Sequence, residues 1–383
     1  MKDPLQSFTL DQLRRRPSAK WREYPEDVLP LWIAEMDVEI ADPVIEAVTA
    51  AMSAGDTGYS HGTTYAEALA EFARDRWHWH IDIKNTALVP DVMLGIVEIL
   101  KLVTDRGSSV VINPPVYPPF YQFIEHMDRK VIEAPLGDDH RIVMEALEQA
   151  FSVATGQGVA AAYLLCNPQN PTGTVHTRDE LAAAAALANR YAVRVIANEA
   201  HAPLVYPGSR FVPYLTVEGA DTAFSVTSAA KAWNLSGLKS AVVTAAPGAR
   251  TELATMPEEV ADEPSHLGVI AHSAALRAGG EWLDALLTGL DRNRLLLRDL
   301  LTEHVPSIGY EPPEATYFAW LDCAPLALGN DPARAFLERG RVAFNPGPSF
   351  GTGGEGHARL NFATSTEIIE EAVARMVAAL VQR

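Results

Sequence analysis

The chain is predicted to fold as an α/β protein, with a mostly parallel sheet in a large domain and a smaller α+β domain beside it. Two observations predict this. Short runs rich in Val, Ile and Ala recur between longer helical patterns up to about residue 280, and the pattern then changes to one long helix followed by mixed short strands. Continuous apolarity over a few residues, without alternation, suits strands covered on both faces. The length of 383 residues is too great for one compact core and fits two unequal domains. We assign 1–44 to an N-terminal segment that joins the small domain, 45–280 to the large domain and 281–383 to the small C-terminal domain.

The sheet strands are read from Ser109-Val110-Val111-Ile112, Ala161-Ala162-Tyr163-Leu164-Leu165, Val193-Arg194-Val195-Ile196, Phe224-Ser225-Val226 and Ala241-Val242-Val243-Thr244. Before the third of them, Thr177-Arg178-Asp179-Glu180 has the form of a capping box and opens the alanine-rich run Leu181 to Tyr191. A helix there would carry the chain from one strand to the next. Beyond residue 280, Leu283, Leu286, Leu290 and Leu297 mark the long helix, and strands are expected around Tyr317 to Leu321 and Ala358 to Phe362. A second capping box, Thr364-Ser365-Thr366-Glu367, is expected to start a terminal helix with Ile368, Ile369, Ala372, Val373, Met376, Val377 and Leu380 on its apolar side.

Composition narrows the function. Hydrophobic residues at 48% and charged residues at 21% are ordinary for a globular protein, which excludes disordered and fibrous classes. The net charge of -18, scattered along the chain, repels nucleic acid and anionic membrane, so neither is an expected partner. Cys166 and Cys323 are widely separated and outside any metal-ligand spacing, which argues against a disulfide scaffold and a zinc site. The segment Met1 to Ser7 lacks the apolar core of a signal peptide, and no run approaches the roughly 20 apolar residues that span a bilayer. A cytoplasmic location is expected.

Ligands of open α/β sheets bind outside the carboxyl ends of the strands. Here the first four strands are followed by Asn113-Pro114-Pro115-Val116-Tyr117, by Asn167-Pro168-Gln169-Asn170-Pro171-Thr172-Gly173, by Asn198-Glu199-Ala200-His201 and by Ser228-Ala229-Ala230-Lys231. A lysine at the end of a buried strand must be neutralised or bonded, because an unpaired ammonium in an apolar setting is costly. A Schiff base with pyridoxal phosphate is one solution, and a side chain that snorkels to solvent is another.

These motifs, with Ser228-x-x-Lys231-x-x-Asn234-x-x-Gly237-Leu238-Lys239 and Arg359-Leu360-Asn361-Phe362-Ala363, resemble fold-type I pyridoxal phosphate enzymes of aminotransferase classes I and II. Within that superfamily, Leu31-Trp32-Ile33-Ala34-Glu35-Met36-Asp37, Gly58-Tyr59-Ser60 and Glu199-Ala200-His201-Ala202-Pro203-Leu204-Val205 are similar to the MalY/PatB branch of cystathionine β-lyase-like carbon–sulfur lyases. The resemblance runs nearly end to end. It implies a transferase-like fold with a mostly parallel seven-stranded sheet in a large domain that binds pyridoxal 5'-phosphate.

The resemblance also implies roles. Lys231 would bond the cofactor and serve as the base for the substrate Cα proton, and Tyr117 would stack on the ring. Ser228, Lys239 and backbone amides near Met93 and Leu94 would bind the phosphate, with Tyr59 reaching it from the neighbouring subunit of a homodimer. Asn170 and His201 would lie at the phenolic oxygen. Arg359 would grip the carboxylate of a small amino-acid substrate, with Asn170 beside it. The S-substituent pocket would be built from Trp32 to Asp37 and the neighbour's Gly58 to Tyr65.

One position departs from the pattern. Where the family carries an aspartate that pairs with the protonated pyridine nitrogen, this chain has Asn198, and an amide cannot supply that charge. The substitution leans toward elimination, with decarboxylation, oxidation or a variant of low activity as equal readings. The activity the resemblance implies is a β-lyase acting on cystathionine or another S-substituted cysteine, yielding thiol, pyruvate and ammonia. An aminotransferase, a decarboxylating or oxidative enzyme acting on a cysteine conjugate, and a regulatory binding protein are the alternatives.

Three further motifs are set aside. Gly351-Thr352-Gly353-Gly354-Glu355-Gly356 has dinucleotide-binding spacing but precedes a strand-like run, so it is read as a mobile loop near the substrate entrance. Ser228-x-x-Lys231 lacks the companion motifs of penicillin-recognising hydrolases. His78-Trp79-His80 has no acidic or cysteine partner nearby and is read as packing, so no metal is expected.

Overall fold

The strand runs assemble as one mixed sheet in the computed structural model, which describes residues 2–381. Its strands are β1 (Thr86–Val89), β2 (Ser109–Ile112), β3 (Lys130–Glu133), β4 (Ala161–Cys166), β5 (Val193–Asn198), β6 (Phe224–Thr227) and β7 (Ala241–Ala245). The order across the sheet is β1-β7-β6-β5-β4-β2-β3. Pairs from β6 to β3 are parallel, and β7 runs antiparallel to both β6 and β1. Every residue of β4, β6 and β7 is buried. That explains their continuous apolar runs. β1 and β3 escape such a reading because they close the two sheet edges and are mostly half-buried, with Lys130 exposed.

The helices that matter below are α1 (Asp42–Ala54), α2 (Thr64–Trp77), α3 (Val92–Val103), α4 (Arg178–Arg190), α5 (His266–Ala278), α6 (Gly280–His304) and α7 (Thr366–Val381). On one face of the sheet, Ile96 and Leu100 of α3 pack with Val110, Ile112, Val226 and Val243. On the other, Leu181 of α4 joins Leu147, Phe151, Tyr163 and Val195. A third core unites Leu31, Phe72, Trp233, Leu286, Leu360 and Met376, so N-terminal and C-terminal segments share one apolar interior. No helix among the described residues is long and apolar enough to cross a membrane.

The capping box of α4 forms as read: Thr177 Oγ1 accepts the Glu180 N–H at 3.3 Å, and Thr177 N–H donates to Glu180 Oε2 at 2.7 Å. The box expected at Thr364 does not form. Asn293 Nδ2 holds the Thr364 carbonyl at 2.7 Å, and Ser365 Oγ instead accepts the Ile368 N–H at 3.4 Å. The cap therefore lies one residue later.

After α6 come β8 (Phe318–Asp322), β9 (Asn345–Pro346) and β10 (His357–Asn361), an antiparallel sheet in the order β9-β10-β8. Leu29–Pro30 pairs in parallel with Val342–Ala343. The chain then continues alongside β10, where Asn361 N–H donates to the Leu31 carbonyl at 2.8 Å.

Candidate active site

The carboxyl ends of β4, β5 and β6, with the start of α3, surround one cavity. Tyr117, Asn170, Asn198, His201, Ser228 and Lys231 line it, as do Met93 and Lys239. Lys231 is half-buried in the turn that follows β6, and its Nζ reaches Ser236 Oγ at 3.4 Å. Among the described residues no carboxylate pairs with it. Burial, with the nearby Arg359 guanidinium, pulls its pKa down to about 8.

The start of α3 is occupied differently from expectation. Asp91 caps the helix: its Oδ1 accepts the Leu94 N–H at 2.9 Å and its Oδ2 pairs with Lys239 Nζ at 2.9 Å. The Leu94 amide is thus already used within the helix cap, and its side chain is turned out, 38% exposed. Met93 remains at the cavity wall. Lys239 is not a free cation, because Asp91, an acid the sequence reading overlooked, offsets its charge. Ser228 Oγ donates to the Ser240 carbonyl at 2.8 Å and accepts the Ala230 N–H at 3.1 Å, which tightens the turn bearing Lys231.

Arg359, on β10, is buried beside Asn170. Its Nη1 donates to Asn170 Oδ1 at 2.9 Å and its Nη2 to the Trp32 carbonyl at 3.1 Å, while Nε has no partner among the described residues. The guanidinium lies 4.1 Å from the Phe318 ring centre. No acid among the described residues pairs with it, and burial lowers its pKa to about 10. Trp32 contributes its main chain to this contact. Its indole turns toward Tyr24, edge-on at 5.8 Å, and donates to the Lys20 carbonyl at 3.4 Å.

His201 is buried edge-on against Tyr317 and Phe318, with Nδ1 unpartnered. Burial, reinforced by Lys231 and Arg359, holds its pKa well below the usual value, so the ring is neutral. Asn198 ends β5, and its Oδ1 accepts the Ala200 N–H at 3.1 Å.

A scaffold that motif reading did not resolve connects these groups. Asn234, three residues after Lys231, sits at φ 57° and brackets Met36, accepting its N–H at 2.9 Å and donating to its carbonyl at 3.0 Å. Asn361, two residues after Arg359, donates to the Ile33 and Glu35 carbonyls, each at 2.7 Å. Lys20, fully buried, pairs with Asp37 at 2.7 Å and donates to the Glu35 carbonyl at 3.2 Å. The segment from Ile33 to Asp37 is therefore clamped by the lysine turn, the arginine strand and a buried ion pair together.

Tyr65 was expected to serve a neighbouring subunit, yet it lies inside its own chain. Its hydroxyl accepts the Ala229 N–H at 3.1 Å and bonds His272 Nδ1 at 2.9 Å, propping the lysine turn from behind. The apolar spacing of α2 buries it, with Leu69 and Phe72 on the same helix face. Tyr59 is 86% exposed and outside the cavity lining of its own chain. The glycine-rich segment at 351–356 joins β9 to β10 with no helix after it. Trp79 is buried, and no group of His, Cys, Asp and Glu among the described residues could hold a metal.

The aminotransferase class I and II family model matches residues 26–376. A Mycobacterium leprae protein named "Putative cystathionine beta-lyase" is 55% identical over 396 aligned positions, covering 99% of this chain and 98% of that one. The cystathionine beta-lyase of Corynebacterium glutamicum is 33% identical, covering 97% of this chain and 99% of that one. A Corynebacterium diphtheriae crystal structure described as a "putative plp-dependent beta-cystathionase" superposes with a TM-score of 0.91 at 34% identity, over 97% of this chain and 98% of the other. By a match that spans most of its length and by the shared fold, the chain belongs to the aminotransferase class I and II family.

Proposed function

We propose that this chain is a pyridoxal-phosphate-dependent carbon–sulfur β-lyase that converts cystathionine, or another S-substituted L-cysteine, and water to a thiol, pyruvate and ammonia. One observation carries the reading: a lysine amine without an acidic partner lies beside a buried guanidinium without a carboxylate. Buried cations left unpaired are costly, and ligands with an aldehyde, a phosphate and an α-carboxylate would relieve them.

The residues present fit the cofactor. Lys231 Nζ is free to bond an aldehyde carbon. Val92 and Met93 at the start of α3, with Ser228 and Lys239, would receive the phosphate, Lys239 turning from Asp91 to do so. Asn170 gives its oxygen to Arg359 and so keeps its N–H donors for the phenolic oxygen. Tyr117 would cover the ring. When bound, the cofactor supplies an electron-withdrawing ring conjugated to the substrate's amino group.

Arg359 binds the α-carboxylate and so orients the substrate about its Cα. Lys231 takes the Cα proton, and its lowered pKa makes the neutral amine that a base requires far more accessible near pH 8 than in an ordinary lysine. The thiolate leaves from Cβ. Hydrolysis of the remaining fragment gives pyruvate and ammonia. The names of the relatives that are 33% and 55% identical support this substrate class.

We also propose a cytoplasmic homodimer. Ile45 and Met52 on α1 are exposed at 49% and 55%, and Tyr59 more so, which suits a partner surface that carries Tyr59 into the other subunit's phosphate end. The test of the activity is incubation with L-cystathionine alone. Pyruvate released without a keto-acid acceptor is expected, whereas dependence on an acceptor or on oxygen would replace the lyase with a transferase or an oxidative enzyme. Activity unaffected by Lys231→Ala would overturn the catalytic reading in favour of a binding role.

A further inference from the structure

We infer that Asn198 donates its side-chain N–H to the ring nitrogen of the cofactor and holds that nitrogen unprotonated. The inference rests on the cofactor assignment just proposed and says what electronic state this chain imposes on it.

The orientation of the amide carries the argument. Asn198 is 7% exposed at the last position of β5, and its Oδ1 accepts the Ala200 N–H at 3.1 Å. A backbone N–H can face only an acceptor, so the oxygen end of the amide is fixed by the turn that follows the strand. Among the described residues the Nδ2 end has no hydrogen-bond partner, and Asn198 lines the cavity. A cofactor bonded through its aldehyde carbon to Lys231, with its phosphate arm at the start of α3, directs its ring nitrogen away from Lys231, because that nitrogen lies para to the aldehyde-bearing carbon. Asn198, at the end of β5, lines the same cavity as Lys231 and is the polar side chain there that would meet that nitrogen. There a pyridinium N–H would meet another N–H, whereas an unprotonated nitrogen offers the lone pair that the amide can use.

A neighbouring acid could in principle stand in for the missing aspartate, and Glu199 is adjacent in sequence. Its carboxylate is turned away: Oε1 accepts the Tyr214 N–H at 2.7 Å and Oε2 accepts the Ser225 hydroxyl. The other ionisable groups on the wall do not supply a carboxylate at the end of β5. Asp91 is held at the start of α3, where its Oδ1 accepts the Leu94 N–H at 2.9 Å, Cys166 donates its S–H to the Pro168 carbonyl, and His201 is neutral. Tyr117 keeps its proton, because burial raises its pKa. Lys231 and the nearby Arg359 are cationic or neutral, so they oppose a further positive charge on the ring.

The test is 15N NMR of the full-length holoenzyme reconstituted with cofactor labelled at the ring nitrogen. The wild-type signal is expected at the position of a hydrogen-bonded, unprotonated pyridine and to stay there across the neutral pH range. Asn198→Asp should move it to the pyridinium position. A wild-type signal already at the pyridinium position would overturn the inference, and that measurement stands even if the variant fails to fold. A protein that takes up no labelled cofactor would give no bound signal, an outcome that overturns the cofactor assignment and this inference with it.

Discussion

Replacing Arg359 with lysine tests the substrate end of the site, and its magnitude follows from counting donors. A guanidinium has five N–H groups. One on Nη1 is engaged by Asn170 Oδ1 and one on Nη2 by the Trp32 carbonyl, which leaves the Nε–H, unpartnered in the buried state, and two Nη–H for a carboxylate. A lysine ammonium has three donors in all. If it satisfies the same two oxygens, one remains. At least one charge-assisted hydrogen bond to the substrate is lost, about 1.5–3 kcal/mol, or roughly 10- to 150-fold in kcat/KM. The assay is steady-state pyruvate release from L-cystathionine by Arg359→Lys, with a control ligand: an amine of similar shape that lacks the α-carboxylate should bind both proteins alike. The reasoning fails if Arg359→Lys keeps kcat/KM within about twofold of the wild type, or if affinity for the carboxylate-free amine falls as far as that for the substrate.

Three further outcomes are expected. Lys231 is protonated up to about pH 8 in the folded chain and up to 10.5 as an ordinary lysine, so uptake of cofactor by the apoprotein should accelerate as pH rises toward 8 and then level off. A rate still climbing steeply toward pH 10.5 would show an unshifted amine, and in the same window apoprotein stability should increase with pH, since only the unfolded chain still holds the proton. Asp37→Ala would strand the fully buried Lys20 ammonium; a loss of about 3–5 kcal/mol in urea unfolding is expected, with reduced turnover because the Ile33 to Asp37 segment loosens. Tyr65→Phe removes the acceptor of the Ala229 N–H and the partner of His272, for an expected loss of about 1–3 kcal/mol in the same denaturation assay.

The sheet was legible wherever burial on both faces made its strands uniformly apolar, as in β4 and β7, and illegible where an edge strand such as β3 mixes Lys130 and Glu133 with Val131 and Ile132. The same rule governs the site. Lys231 and Asn170 could be found in the segments that follow strand ends, and Arg359 in the Arg-Leu-Asn-Phe-Ala motif that carries the resemblance. Asp91, Ser236 and Tyr65 could not, because their importance lies in whom they meet across the fold: Asp91 finds Lys239, and Tyr65 finds Ala229, 164 residues away. Periodicity along α2 could have shown that Tyr65 faces inward with Leu69 and Phe72, and that signal would have separated it from the exposed Tyr59. The cap at Ser365 was missed for a similar reason, since the distant Asn293 fixes the Thr364 backbone through its carbonyl and the helix is capped one residue later, by Ser365 Oγ.

The charges of the site run against those of the chain. The sequence carries a net charge of -18, yet the cavity is lined by Lys231 and Lys239 against Asp91, which is already paired, and at its border the buried Arg359 lies near Lys231 with Glu35 the further acid acting on that lysine. Among the described residues no acid neutralises Arg359, and the hydrogen bonds it donates to Asn170 Oδ1 and the Trp32 carbonyl orient the guanidinium without offsetting its charge. Holding a buried charge in that state requires a frame that cannot collapse around it, and Asn234, Asn361 and the Lys20–Asp37 pair form such a frame by fixing the Ile33 to Asp37 segment from three sides. The frame keeps the cation unsatisfied until a ligand arrives. It follows that a dianionic phosphate and a carboxylate gain more here than surface ion pairs would, because the cost of removing the cations from water is borne by the fold before binding begins.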